Sequence, residues 1–284
     1  MTDSNAPRTA AVIGGGTMGA GIAHVLLAAG ARVTVAEVSA DAAAKARDAV
    51  ANSLAKAADR GKLAATPNDL LAALSVVDTL ADLPPGAELV VEAVPEDAAL
   101  KRRVLAAAAG ACPDAVLASN TSSLSVGALA EGLPGERVLG MHFFNPVPVQ
   151  PLVEVVRHGG VADDLVARAA GWAEALGKTV IVVRDSPGFA TSRLGVAVGL
   201  EAIRMVQEGV ASAEDIDTGM RLGYGWPMGP LRLTDLVGLD VRLAIAEHLE
   251  RELGPRFAPP QLLRDKVGRD ELGRKTGRGF FDWS

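Results

Sequence analysis

The sequence predicts an α/β fold: a mostly parallel sheet with crossover helices, followed by an all-helical C-terminal domain. Two patterns and the length lead there. From Thr9 to about residue 185, short β-branched runs alternate with longer Ala/Leu-rich segments at helical spacing, as parallel strands and their crossovers do. After Asp185 the strand-like runs stop until the last few residues. The 284 residues are nearly twice the ~150-residue prior for one domain. Two domains are therefore expected, residues 1–184 and 185–284.

Each expected strand is short, aliphatic and bounded by Gly, Pro or charge. They are Ala10 to Gly14, Arg32 to Glu37, Leu74 to Val77, Glu88 to Val94, Ala115 to Ser119, Arg137 to His142, Leu152 to Arg157 and Thr179 to Val183. Between them Met18 to Ala29, Asp41 to Arg60, Glu96 to Ala109, Leu124 to Glu131 and Asp163 to Leu176 read as helices. Ser186-Pro187-Gly188 then punctuates the chain. Beyond it, Phe189 to Glu208, Glu214 to Leu222, Leu231 to Leu253 and Pro260 to Val267 carry apolar residues at three- and four-residue intervals, and Ser212 with Asp215 marks a capping-box-like start.

Composition limits the partners. Hydrophobic residues make up 49% and charged residues 22%, which is globular, and 4% aromatics point to a core of small aliphatic side chains. The 28 basic and 34 acidic residues give a net charge of −6, the wrong sign for wrapping nucleic acid or lying on an anionic membrane. Cys112 is the single cysteine, and with four histidines and no Cys/His cluster no metal site is expected. A reducing cytoplasm suits this usage. Met1 to Arg8 is polar without an apolar leader, and no run approaches the ~18 apolar residues of a membrane span.

Gly14-Gly15-Gly16-Thr17-Met18-Gly19 matches G-x-G-x-x-G between the first strand and the first helix. The first glycine permits the tight turn, the second a close backbone approach to a pyrophosphate, and the third close helix–strand packing, so the helix N-terminus with Thr17 and Met18 holds the anion. Glu37 ends the second strand 18 residues past Gly19, near the ~20-residue offset at which an acid meets the adenosine ribose. This is a Rossmann-like dinucleotide site. A carboxylate repels a 2′-phosphate and no arginine follows in Val38-Ser39-Ala40, so NAD is preferred to NADP.

Among the histidines, His24 reads as packed inside the first helix, while His158 in a glycine turn and His248 in a charged helix read as solvated. His142 closes the sixth strand at the sheet edge where ligands sit, ahead of the proline-rich Asn145-Pro146-Val147-Pro148. Glu154 falls mid-strand in Leu152-Val153-Glu154-Val155-Val156, where an unpaired carboxylate is costly. A hairpin-like return sets it beside His142. From spacing alone, a catalytic dyad and a structural His–Glu pair are equal readings.

These residues resemble the L-3-hydroxyacyl-CoA dehydrogenases, including bacterial 3-hydroxybutyryl-CoA dehydrogenases, over nearly the whole chain. The likeness rests on the glycine loop through Ala23 and on Val91-Glu92-Ala93-Val94-Pro95-Glu96, Ser119-Asn120-Thr121-Ser122-Ser123 and His142-Phe143-Phe144-Asn145-Pro146. It continues in Asp185-Ser186-Pro187-Gly188-Phe189, Pro227-Met228-Gly229-Pro230 and Lys275-Thr276-Gly277-Arg278-Gly279-Phe280. The resemblance implies that His142 takes the proton from the 3-hydroxyl as hydride leaves C3, with Glu154 orienting it and Ser122 bonding the substrate oxygen. It implies Glu96, Lys101, Asn145 and Lys275 at the NAD site, coenzyme A contacts from Ser53 and Arg60, a role in fatty-acid metabolism, and a homodimer through the second domain. The apolar arc of Leu194, Val196, Ala197, Val198, Leu200 and Ala202 is compatible with that dimer. The substrate is expected in the cleft against the helical domain.

One position departs from the family pattern: Ser192 stands where an asparagine usually precedes the arginine, here Arg193. Its hydroxyl reaches less far and lacks the paired donor and acceptor of an amide. Two alternatives share much of this constellation, a dehydrogenase of free hydroxy or sugar acids resembling the lambda-crystallin-like L-gulonate enzymes, and a non-catalytic NADH-binding protein. Glu37→Ala is expected to raise KM for NAD far more than KM for the acyl substrate in steady-state assays. Equal effects on both would remove Glu37 from the cofactor site.

Overall fold

The computed structural model describes residues 6–283. The chain forms two compact units, one ending at Asp185 and the other beginning at Ser186. In the first, β1 (Thr9–Ile13), β2 (Arg32–Ala36), β3 (Leu74–Val77), β4 (Leu89–Glu92), β5 (Val116–Ser119), β6 (Val138–Phe143), β7 (Leu152–Arg157) and β8 (Thr179–Arg184) make one sheet in the order β3-β2-β1-β4-β5-β6-β7-β8. The strands from β3 across to β6 pair in parallel, β7 runs antiparallel to β6, and β8 is parallel to β7. Strand order reverses at β1 and β4, and a ligand crevice opens at the carboxyl ends of strands around such a switch point.

The helices of this unit are α1 (Thr17–Ala28), α2 (Ala40–Ala58), α3 (Pro67–Ala72), α4 (Ala98–Ala111), α5 (Val126–Ala130) and α6 (Asp163–Ala175). Small aliphatic side chains fill the core: Val12, Ile22, Leu26, Leu54, Leu117 and Leu139 are fully buried, and Phe143 and Trp172 are its only aromatic members among the described residues. The parallel strands have both faces covered, which is why residues 10–13 of β1, 89–91 of β4 and 116–118 of β5 read as unbroken apolar runs.

Caps move several boundaries. Asp97 accepts the Leu100 N–H at 2.6 Å, so α4 starts at Ala98 and Glu96 stays outside it. Ser125 caps α5 through the Ala128 N–H, so the helix starts at Val126 and not at Leu124 as expected. α2 stops at Ala58 because Gly61 takes φ +64°, with Gly61 N–H bonded to Ala58 O and Lys62 N–H to Ala57 O, a Schellman ending. Arg60 therefore lies in the turn beyond the helix, not at the end of the helix expected over Asp41 to Arg60. The short α3 was not foreseen; Thr66 caps it, Pro67 opens it, and only Leu70 is buried.

The second unit holds α7 (Thr191–Gln207), α8 (Ala213–Tyr224), α9 (Pro230–Val237), α10 (Leu239–Leu253) and α11 (Gln261–Gly268) around Val196, Leu200, Ile203, Leu231, Leu239, Leu249 and Leu263. Ser212 caps α8 through the Asp215 N–H as the sequence signalled. The single helix expected over Leu231 to Leu253 is two helices, because Gly238 at φ +102° breaks it. Among the described residues no helix is long and apolar enough to cross a membrane.

Candidate active site

The glycine loop leaves β1 at Gly14, whose φ of +93° and approach to Ala93 O (2.9 Å from an added Cβ) exclude a side chain. A Cβ on Gly19 would stand 1.7 Å from Gly14 O, so this glycine lets α1 pack on the turn. Gly16 differs: a Cβ there meets nothing within 4 Å. Gly16 is also the N-cap of α1 without a side-chain cap, and Thr17 beside it is exposed. Among the described residues no side chain caps α1, and the space at Gly16 is open, which fits the pyrophosphate of a dinucleotide. Glu37 ends its strand next to this loop and accepts the Gly15 N–H at 2.6 Å.

Below that loop lies an acid the sequence reading passed over. Glu92 ends β4 fully buried, and its carboxylate accepts from Lys101 Nζ at 2.8 Å, Ser119 Oγ at 2.6 Å and Val94 N–H at 2.7 Å. Its signal was available, since Leu89-Val90-Val91-Glu92 places an acid on an apolar strand just as the Glu154 strand does. Lys101 is only 1% exposed, and its ammonium also reaches Val94 O at 3.1 Å and Glu96 Oε2 at 3.2 Å. It therefore acts on the site through the two acids.

Glu96 ties this cluster to the next loop. Its Oε1 accepts from Thr121 Oγ1 at 2.6 Å, Ser122 N–H at 2.9 Å, Ser122 Oγ at 3.3 Å, and the N–H and Oγ of Ser123, both at 3.2 Å. Burial alone would raise its pKa, but Lys101 and these donors outweigh that and hold it below the usual carboxylate range. Asn120 accepts the Phe143 N–H at 2.9 Å, which joins the serine loop to the end of β6.

β6 and β7 pair antiparallel with His142 directly opposite Glu154, and His142 Nδ1 stands 2.7 Å from Glu154 Oε2. Glu154 is fully buried and His142 is 6% exposed, with the Phe144 ring 4.4 Å away between centroids. The loop between the strands contains a cis Asn145–Pro146 bond, and Asn145 is exposed. Lys178 Nζ donates to Val147 O at 2.6 Å and Gln150 O at 2.9 Å, which fixes the loop.

The other histidines differ from their sequence reading. His24 is packed, as expected, but it also bonds Ser53 Oγ at 2.8 Å and lines a pocket of about 660 Å³ with Ser53, Lys56, Arg60, Lys62 and Lys178. Burial and nearby Lys178 lower its pKa to about 4, so the imidazole is neutral. Ser53 and Arg60 thus line one pocket of ligand size although Arg60 lies beyond the end of α2. His158 is not solvated: half-buried, its Nε2 lies 3.1 Å from Gly135 O and 3.0 Å from Val138 O. His248 is likewise half-buried. In the second unit, Ser192 opens α7 half-buried and Lys275 pairs with Asp240.

Lys101→Met leaves Glu92 buried without its counter-charge. Removing one partner of such a pair costs about 3–5 kcal/mol, which urea unfolding would measure. A loss below about 1 kcal/mol, the size typical of exposed pairs, would show that the serine and backbone donors suffice.

Residues 9–186 match the family model of the 3-hydroxyacyl-CoA dehydrogenase NAD-binding domain, and residues 188–283 match that of the 3-hydroxyacyl-CoA dehydrogenase C-terminal domain. A 3-hydroxybutyryl-CoA dehydrogenase of Mycobacterium tuberculosis is 43% identical over 99% of this chain and 100% of its own length. The mitochondrial hydroxyacyl-coenzyme A dehydrogenase of Sus scrofa is 38% identical over 96% of this chain and 90% of its own. The crystal structure of (S)-3-hydroxybutyryl-CoA dehydrogenase from Ralstonia eutropha superposes with a TM-score of 0.93 at 39% identity, covering 98% of this chain and 100% of that one. The cofactor is NAD, as the matched domain indicates. Glycine loop, buried acids and paired matches all lead to one assignment: the chain belongs to the 3-hydroxyacyl-CoA dehydrogenase family.

Proposed function

We propose that the protein catalyses NAD-dependent oxidation of L-3-hydroxyacyl-CoA to 3-oxoacyl-CoA, and the reverse, with His142 as the acid–base group. The observation that carries this is the buried His142–Glu154 pair at 2.7 Å. The carboxylate holds Nδ1–H, so proton exchange with the 3-hydroxyl runs through Nε2, and the imidazolium formed as the proton arrives is stabilised by the charge behind it. When bound, NAD supplies the hydride acceptor for C3. Ser122 bonds the substrate oxygen from a loop that Glu96 holds still.

Glu37 meets the adenosine ribose, and Gly14, Gly16, Thr17, Met18 and Gly19 seat the pyrophosphate, with Glu96 and Asn145 beside the nicotinamide half and Lys101 positioning Glu96. The pocket of Ser53 and Arg60 takes the coenzyme A phosphates, aided by Lys56 and Lys62. That cationic lining favours an acyl-CoA over a free hydroxy or sugar acid, which has no phosphate to engage it. Residues 1–184 act as the cofactor domain and 185–284 as the substrate and dimerisation domain. The lone Cys112 thiol, buried in the first unit, suits the cytoplasm.

NADH consumption with acetoacetyl-CoA tests the activity. His142→Ala is expected to lower kcat by about 10²–10⁴ with NAD binding retained; a wild-type kcat in the variant removes His142 from the chemistry. We also propose a homodimer through the second unit, where Leu194 on α7 is 67% exposed and Val237 and Val241 are 41% exposed each. Light scattering at micromolar concentration is expected to give twice the chain mass, and a monomer mass overturns it.

A further inference from the structure

The pocket at Ser53 carries one polar group that has no task so far. Its lining includes Lys56, Arg60, Lys62 and Lys178 and no acid. Lys178 is engaged with the Val147 and Gln150 carbonyls, whereas Lys56, Arg60 and Lys62 pair with no carboxylate among the described residues. Into this cationic lining α1 sends His24, which is 4% exposed. An aliphatic side chain would fill an interior position there with no polar atom to satisfy.

The imidazole is spent on Ser53, whose Oγ lies 2.8 Å from His24 Nδ1. Ser53 stands within α2, where a serine hydroxyl often bonds back to the carbonyl one turn earlier. Among the described residues Ser53 Oγ has His24 as its one partner instead. The two helices thus meet through a polar bond at the wall of the pocket.

The chemistry of the pair decides which atom gives the proton. Burial and Lys178 keep the imidazole neutral, so it has one N–H and one bare nitrogen. A phosphate presents acceptors, and Ser53 binds it only by donating its single hydroxyl proton. That proton is unavailable while it points at His24. The ring must then be the donor in the 2.8 Å bond, through Nδ1–H. Nε2 is left as a lone-pair acceptor in a pocket whose charged groups can only donate, whereas the other tautomer would add one more donor to them.

We propose that His24 is a positioning residue of the coenzyme A pocket: its Nδ1–H holds the Ser53 oxygen and turns the hydroxyl proton toward a phosphate of the substrate. This rests on the acyl-CoA reading above. His24 acts through Ser53 on how tightly the nucleotide end of the substrate is held, so its effect belongs in KM.

The test compares acetoacetyl-CoA with acetoacetyl-pantetheine, which carries the same reacting group and no phosphate. NADH oxidation is measured for the wild type, His24→Leu, His24→Asn and Arg60→Ala. The ratio of kcat/KM values, CoA over pantetheine, is expected to fall about fivefold in His24→Leu, the size of one hydrogen bond, with the fall carried by KM for acetoacetyl-CoA. His24→Asn, whose amide N–H stands near the place of Nδ1–H, is expected to recover most of it. A packing defect alone would weaken both substrates alike, so an unchanged ratio in His24→Leu overturns the role of His24, as does a fall that His24→Asn does not recover. If Arg60→Ala also leaves the ratio unchanged, the reading of the pocket has itself failed; if Arg60→Ala lowers it, the pocket stands and only His24 drops out. Long-range proton–nitrogen NMR spectra of the wild type decide the matter if His24→Leu does not fold. The His24 ring, assigned by its absence in His24→Asn, is expected to be protonated on Nδ1, and protonation on Nε2 overturns the role.

Discussion

A carboxylate in the interior of a sheet has no water to solvate it, and the fold of the first unit is arranged so that each such carboxylate finds a donor. Glu154 meets His142 because β7 turns back against β6, and Glu92 meets Lys101 because α4 returns along the sheet beside β4. Desolvating either acid without its partner would cost several kcal/mol, a large fraction of the ~5–15 kcal/mol that separates folded from unfolded chains. His142 and Lys101 are therefore held by the same interactions that hold the strands. Register is part of this: side chains alternate across a sheet, so a slip of one residue in β7 would turn Glu154 to the opposite face and place Val153 or Val155 behind the histidine.

The same economy governs the anion sites. The chain is acidic overall, yet an uncapped helix N-terminus faces open space at Gly16, and lysines and arginine gather around Ser53. Net charge describes the surface as a whole, while binding of an anion depends on a few donors within a Debye length of ~10 Å. The neutral His24 beside Ser53 is consistent with that crowding, since Lys178 and the dry surroundings both oppose its protonation.

Local signals in the sequence were legible and long-range ones were not. The glycine loop, the Ser212 cap and the apolar strands each declare themselves within a few residues, and they appear where expected. Boundaries set by caps were less visible: Asp97, Ser125 and Gly61 each moved a helix end away from where the sequence pattern put it. Gly238 was read through because Leu231, Leu239 and Leu243 keep helical spacing on both sides of it. Glu92 was passed over because its partner lies nine residues on, across a turn, where spacing carries no sign of contact. His158 looked solvated because Gly159 and Gly160 surround it, but its partners, the Gly135 and Val138 carbonyls, are some twenty residues away.

The crowd of donors on Glu96 has a consequence for turnover. Ser122 already points its hydroxyl at that carboxylate, at the long end of hydrogen-bond range, while Thr121 and the Ser122 amide hold the same oxygen more tightly. A substrate oxygen that recruits Ser122 does not create a hydrogen bond from nothing; it takes one over from an acceptor that keeps enough others to lose it cheaply. Such an exchange would swap one acceptor of the Ser122 hydroxyl for another. A reversible enzyme gains from that, because neither the alcohol nor the ketone leaves behind a stranded acceptor when it departs.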